Sequence, residues 1–400
     1  MRAGEGPRQG DVHEAGAEGA GWDAAAVRGP VTGPLLLTPG PLTTPAAVRA
    51  AMGRDWGSRD PAFVALSEGV RARLAALGGP GKVCVPLQGS GSFAVEAMLS
   101  TFCAGLNTTL VCINGAYGER ALDMLRRMGR PGLALRAPET EAVDPAAVAQ
   151  ALADHPQITH VVVIYSETTA GVRNPLVEIS AVVAEAGRAL LVDAMSAFGV
   201  LPLDGLTYQA LAASSNKGLE GPPGLAFVLA DPIALSKAEG RAGSLVLDLY
   251  GQWRRFEQDG QWRFTPPVQL VAALSAALDV YDAEGGLSGR GRRYANNCAT
   301  LCARMDALGF RRLVAPDQQA PVIVTFAEPE AAGWDFWAVY NGLVDAGFAI
   351  YPGKLTAAPS FRVGCIGELD HRDLHAFVDA LEGLLRARGV RLPLSERAPA

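Results

Sequence analysis

Between Leu35 and about residue 230 the chain alternates short apolar runs with segments of helical period, and this alternation limits the fold more than any other feature. Six runs read as strands: Val83–Pro86, Thr109–Ile113, Thr159–Ile164, Ala189–Asp193, Leu211–Ser214 and Gly224–Leu229. Around them, Phe63–Leu77, Phe93–Phe102, Glu119–Met128, Pro145–Ala153 and Leu176–Ala186 carry apolar residues at helical spacing. The strand runs are continuous in Val, Ile, Leu and Ala rather than alternating, which is how strands covered on both faces read. Strand and helix in turn predict an α/β fold, a mostly parallel sheet with helices on both faces.

Beyond residue 230 the pattern changes. Pro267–Glu284 and Gly291–Leu308 read as long helices. Val322–Phe326, Phe348–Tyr351 and Phe361–Gly364 read as strands, with helices over Trp334–Ala346 and His371–Arg386. This predicts a smaller α+β domain at 285–400, hinged at Gly285 and Gly286, after a large domain at 34–284. Residues 34–50 can pack on the small domain and at the entrance to a site. Residues 1–33, rich in Gly, Ala, Glu and Arg without a period, are expected to form a poorly ordered extension, with room for a short helix around Trp22–Val27.

Composition narrows the function. A hydrophobic share of 49% against 19% charged residues supports a large core and excludes a disordered chain. Lys and Arg number 35 against 41 Asp and Glu, so nothing suggests the concentrated basic surface that nucleic acid requires. No apolar run reaches the roughly 18 residues of a membrane span, and the first residues lack a signal-type apolar core. The cysteines Cys84, Cys103, Cys112, Cys298, Cys302 and Cys365 sit largely in apolar segments and read as reduced thiols of a cytoplasmic protein. Cys298 and Cys302 have no neighbouring Cys/His pair, and the histidines lack ligand spacing, so no metal site is expected. The charges at Arg290–Arg293 read as a solvated helix start.

The polar residues that end the strands carry the chemistry. Lys217 lies just past Leu211–Ser214, between Asn216 and Gly218, and Asp193 terminates Ala189–Asp193. Taken singly, the lysine reads as an exposed loop residue, as most lysines do, and the aspartate equally as a helix cap. In open α/β sheets, however, ligands are met beyond the carboxyl ends of the strands. A lysine and an acid at successive strand ends is the arrangement that pyridoxal 5'-phosphate requires: the amine forms a Schiff base and the carboxylate keeps the pyridine nitrogen protonated. Ser90, Gly91 and Ser92, between a strand and a helix, can offer free amides and hydroxyls to a phosphate. Thr168 follows Thr159–Ile164 and can hydrogen-bond the ring oxygen or the phosphate. Tyr117 follows Thr109–Ile113 and can stack on a flat ring.

Together, Leu35–Thr44, Gln88–Ser92, Asn114–Gly118, Ser166–Gly171, Val192–Phe198 and Ser214–Lys217 resemble the class V, fold-type I aminotransferases. More narrowly, Ser244–Tyr250, Trp262–Pro266, Ile350–Lys354 and Phe361–Glu368 are similar to the 2-aminoethylphosphonate–pyruvate transaminases, and the likeness runs from about Leu35 to about Leu385. The resemblance implies a homodimer with shared sites and a small-molecule amino donor and keto acid. The reaction it implies is ping-pong transfer between 2-aminoethylphosphonate and pyruvate, giving phosphonoacetaldehyde and alanine. It casts Lys217 as the Schiff-base lysine and proton carrier, Asp193 as the pyridinium partner, Thr168 as the donor to the ring oxygen and Tyr117 as the stacking aromatic. Ser90, Gly91 and Ser92 hold the phosphate in this scheme, with Asn216 and with Thr265 of the partner subunit. Arg362 takes the place of the arginine that receives the substrate's anion, and Gly40 lines the entrance.

Two stretches depart from the family pattern. Asp55–Pro61 differs near the entrance, where Arg59 can add an anion contact, and Gly218–Glu220 replaces the commoner Cys-Ile-Gln. An alanine–glyoxylate or serine–pyruvate type aminotransferase is the alternative, since those enzymes share Lys217, Asp193 and Arg362. A non-catalytic relative is disfavoured, because every expected catalytic position carries a competent residue.

Overall fold

The computed structural model describes residues 22–105, 107–356 and 358–394. Its centre is a seven-stranded sheet in the order Val83–Gln88, Leu225–Ala230, Ala210–Ser214, Ala189–Asp193, Ile158–Ile164, Thr108–Ile113, Gly132–Arg136. All neighbours pair parallel except Leu225–Ala230, which runs antiparallel to both of its partners. The period-2 geometry of a strand explains the continuous apolar runs. Val161, Val163, Leu190, Val192, Leu211 and Phe227 enter one core; Val162, Leu191, Ala212 and Val228, one residue out of step, enter another across the sheet. Helix Pro61–Leu77 covers the first face through Phe63, Val70 and Leu74, and Gly91–Phe102 covers the second through Ala94, Val95 and Met98.

The register sets up the functional edge. Asp193 lies opposite Ile164 on one side and Ala212 on the other. The turns that carry Thr168 and Lys217 therefore leave the sheet on either side of it.

In the C-terminal part, Ile323–Ala327, Ser360–Gly364 and Tyr351–Pro352 form a three-stranded antiparallel sheet. It packs with helices Gly286–Ala307, Phe336–Asp345 and His371–Ala387 around Leu301, Phe326, Phe361 and Phe377. Leu37 belongs to this second core, and Leu35–Leu36 pairs parallel with Phe348–Ala349. Among the described residues no helix is long and apolar enough to cross a membrane.

Several details differ from the sequence expectation, among them an unexpected helix over Leu249–Asp259. Gly132–Arg136 is a strand, half-buried at the sheet edge, whose thin apolar content hides it. Phe348–Tyr351 is two separate pairs, Phe348–Ala349 and Tyr351–Pro352, on different partners. Of the extension expected at residues 1–33, residues 1–21 lie outside the described residues. From Trp22 the chain is placed: Ala24–Arg28 is a helix capped by Asp23, and Arg28 pairs with Asp373 at 2.9 Å. The last difference corrects the Arg290–Arg293 reading. The helix begins at Gly286, and Arg290 and Arg293 are 0% and 6% exposed, not solvated. Arg290 binds Glu284 at 2.6 Å, and Arg293 binds Glu284 at 2.7 Å and Glu220 at 2.8 Å. Buried guanidinium groups are tolerated because carboxylates meet them.

Candidate active site

At the carboxyl ends of the parallel strands lies a cavity of about 210 Å³. Ser90, Gly91, Ser92, Tyr117, Thr168, Asp193, Asn216 and Lys217, eight of the residues singled out from the sequence, line it. They arrive from five strand ends. Gly40 is not in the wall but touches it: Lys217 Nζ donates to the carbonyl of Pro39, and a Cβ on Gly40 would stand 2.6 Å from that nitrogen. With φ at +112° as well, position 40 favours glycine on both conformational and steric grounds. Arg362 touches the wall at Thr168, donating from Nη1 to its carbonyl at 3.0 Å, while Nε donates to Pro352 at 3.1 Å. Thr265 and Arg59 are exposed and do not line this cavity within a single chain.

Burial perturbs the central acid and base in opposite directions. Asp193 is 6% exposed; burial pushes its carboxyl up to about 6, opposed by the Met195 amide that donates to Oδ1 at 3.0 Å. Burial pushes Lys217 down to about 8; Asp193 opposes this, while Arg362 and Lys354 reinforce it. The direction follows from desolvation, which disfavours whichever form is charged. Near neutral pH the site thus holds a carboxylate and an amine that readily gives up its proton.

One end of the cavity suits an anion. Helix Gly91–Phe102 starts there with no side-chain cap on its amides, so its positive end is open. A Cβ at Gly91 would press on the Met195 thioether, so a larger residue there would have to move that side chain. Arg120 donates to Ser92 Oγ at 3.1 Å and places a positive charge beside the same turn.

The sequence reading overlooked several contributors. Arg120, Met195, Ser196 and Ser214 line the cavity, and Lys354 Nζ sits 4.4 Å from the Tyr117 ring centre. Glu167, fully buried, accepts from the Thr169 amide at 3.0 Å and hydroxyl at 2.6 Å, and its carboxyl is raised mainly by burial. The Arg290–Arg293 cluster bears on the lysine turn: Arg290 Nη1 donates to Gly218 O at 2.5 Å, and the Glu220 amide donates to Lys217 O at 2.9 Å. Helical spacing near residue 290 could have flagged an inward pair; its partner Glu220, some seventy residues away, could not be read.

Comparison with known proteins decides the family. The aminotransferase class-V model matches residues 132–366. The chain belongs to the class-V aminotransferases. It is 50% identical over 361 residues to 2-aminoethylphosphonate–pyruvate transaminase 1 of Burkholderia lata, covering 89% of this chain and 98% of that protein. Among solved structures it is similar to pyridoxamine–pyruvate aminotransferase of Mesorhizobium loti, with a TM-score of 0.83 and 27% identity over 90% of this chain and 94% of the other. An alanine–glyoxylate aminotransferase of Nostoc sp. gives the same TM-score and identity over 89% and 96%.

This aminotransferase uses pyridoxal 5'-phosphate as its cofactor, and the cavity fits that molecule. It offers an amine of lowered pKa for the aldehyde and a buried carboxylate for the ring nitrogen. It also offers an uncapped helix start for the phosphate.

Proposed function

We propose that the enzyme transfers the amino group of 2-aminoethylphosphonate to pyruvate, giving phosphonoacetaldehyde and alanine, and catalyses the reverse, in two half-reactions that share one site. The observation that carries this reading is the 50% identity to a transaminase of that name over 98% of its length. The bound cofactor supplies an aldehyde for the amino group and a ring that stabilises the negative charge left by proton removal.

The chain's own residues do the rest. Lys217 Nζ is the amine that would hold the aldehyde and, once released, would take the proton from the substrate carbon bearing the amino group and deliver it to the carbon that had been the cofactor's aldehyde. Asp193 keeps the ring nitrogen protonated. Ser90, Gly91 and Ser92 hold the phosphate through the open helix start, with Asn216 and Arg120 beside them. Thr168 donates to the ring oxygen and Tyr117 stacks on the ring. Gly40 keeps the entrance clear at Lys217. Arg362, steered by its bonds to Thr168 and Pro352, has Nη2 left to receive the substrate's anionic group.

The two-domain division at residue 285 and a homodimer belong to this proposal. Thr265 is exposed beside Phe264, itself 45% exposed, while Phe93 at the phosphate turn is 50% exposed and Leu245 65%. A second subunit would cover such apolar surface and bring Thr265 to its neighbour's phosphate. Six free, buried cysteines suit the cytoplasm. A donor panel tests the reaction. The holoenzyme should convert 2-aminoethylphosphonate faster than alanine or serine with its preferred keto acid. Preference for alanine with glyoxylate would instead make it an alanine–glyoxylate aminotransferase.

A further inference from the structure

Three cations close on the cavity with no carboxylate ion pair among the described residues: Arg120, Arg362 and Lys354. Arg120 stands at the phosphate end. Both it and Lys354 approach Tyr117, with the Arg120 guanidinium carbon 4.9 Å and Lys354 Nζ 4.4 Å from the ring centre. Lys354 and Arg362 therefore remain for the substrate.

Lys354 is held in place from both sides. It follows the strand Tyr351–Pro352, in which Tyr351 lies opposite Arg362, and Arg362 Nε ties down the Pro352 carbonyl. Two residues beyond it, the Thr356 amide and hydroxyl donate to Glu139 Oε2 at 2.9 and 3.0 Å, fastening the turn to the large domain. The half-buried ammonium between these anchors helps to depress the pKa of Lys217, as a positive charge near the reacting amine must.

We propose that Lys354 determines donor specificity, forming with Arg362 a two-cation seat for a dianionic tetrahedral phosphonate, of which a carboxylate uses only the Arg362 half. This rests on the reaction proposed above. An anion leaving water for a closed site needs matching charge, and a phosphonate brings more of it than a carboxylate. Arg362, with Nε and Nη1 fixed on backbone carbonyls, presents Nη2 to one oxygen of either group. The flexible ammonium of Lys354 can reach another oxygen.

The test uses the holoenzyme and Lys354→Met, which keeps an apolar stem over Tyr117 and removes the charge. Single-turnover rates and apparent dissociation constants are measured for 2-aminoethylphosphonate, for 2-aminoethanesulfonate and for alanine. The sulfonate shares the skeleton and tetrahedral shape with one charge fewer. Melting temperature and the amount of bound cofactor report integrity and should not change. The variant should bind the phosphonate about tenfold or more weakly, as for loss of a charge-assisted contact. Sulfonate and alanine should change by less than about threefold, the scale of a distant charge. Lys354→Arg should restore most of the phosphonate binding. Equal losses for all three donors, or a selective phosphonate loss in Arg59→Ala and not in Lys354→Met, would overturn the proposal. A wild-type enzyme that accepts alanine and ignores 2-aminoethylphosphonate refutes the proposed reaction itself, before any variant is made.

Discussion

Arg362→Lys should impair both half-reactions, and the structure sets the size of the loss. A guanidinium has five N–H donors in a rigid fork. Here Nε is committed to Pro352 O at 3.1 Å and Nη1 to Thr168 O at 3.0 Å, so the geometry of Nη2 is fixed by two bonds to backbone. A lysine brings one nitrogen. If that nitrogen stays with a carbonyl, the substrate's anion loses its contact; if it turns to the substrate, the Pro352 carbonyl and the buried Thr168 carbonyl lose theirs. Either outcome costs at least one charge-assisted hydrogen bond, about 1.5–3 kcal/mol. At about 1.4 kcal/mol per factor of ten, kcat/KM should fall about 10- to 150-fold for 2-aminoethylphosphonate and for pyruvate alike. The assay is single-turnover absorbance of the holoenzyme with each substrate, with a thermal melt as the control for folding. A loss below about threefold in either half-reaction, with the fold intact, would refute the reasoning.

Other perturbations probe the same frame. Lys217→Ala should abolish turnover while leaving cofactor bound without a covalent link, as read by the absorption spectrum; near-normal turnover would remove Lys217 from its role. Loading of the cofactor-free protein needs a neutral Nζ, and Lys217 is depressed to about 8, so the loading rate should rise with pH up to about 8 and level off above it. A rate still climbing toward the ordinary lysine value of 10.5 would contradict the burial argument. Arg293→Met strands Glu220 and Glu284 without one of their buried partners, so urea denaturation should show about 3–5 kcal/mol of lost stability. A variant within about 0.5 kcal/mol of wild type would mean that the pair adds nothing.

The central sheet was readable because its strands are apolar on both faces: the run through Val161, Val162 and Val163 serves two cores at once. The same uniformity conceals direction, so Leu225–Ala230 gave no sign of running antiparallel. Gly132–Arg136 escaped notice because an edge strand needs fewer apolar residues. In the site, residues that follow a strand directly, such as Lys217, Asp193 and Thr168, were visible, since the strand fixes where they emerge. Arg120 and Lys354 were not, because their positions depend on a helix turn and on a loop fastened through Glu139. Arg290 and Arg293 show the limit of charge as a sign of exposure. Four positions from Arg290 to Arg293 contain three arginines, and only the fold supplies the carboxylates that draw two of them inward.

The central claim is that one cavity around Lys217 carries out both half-reactions. It is tested most directly by adding 2-aminoethylphosphonate alone to the holoenzyme, then pyruvate alone after the products are removed. The account predicts that the phosphonate bleaches the cofactor's visible absorption with release of an equivalent of phosphonoacetaldehyde per site, and that pyruvate restores it with an equivalent of alanine. Absorption that 2-aminoethylphosphonate leaves unchanged, while alanine or serine bleaches it, would contradict the account.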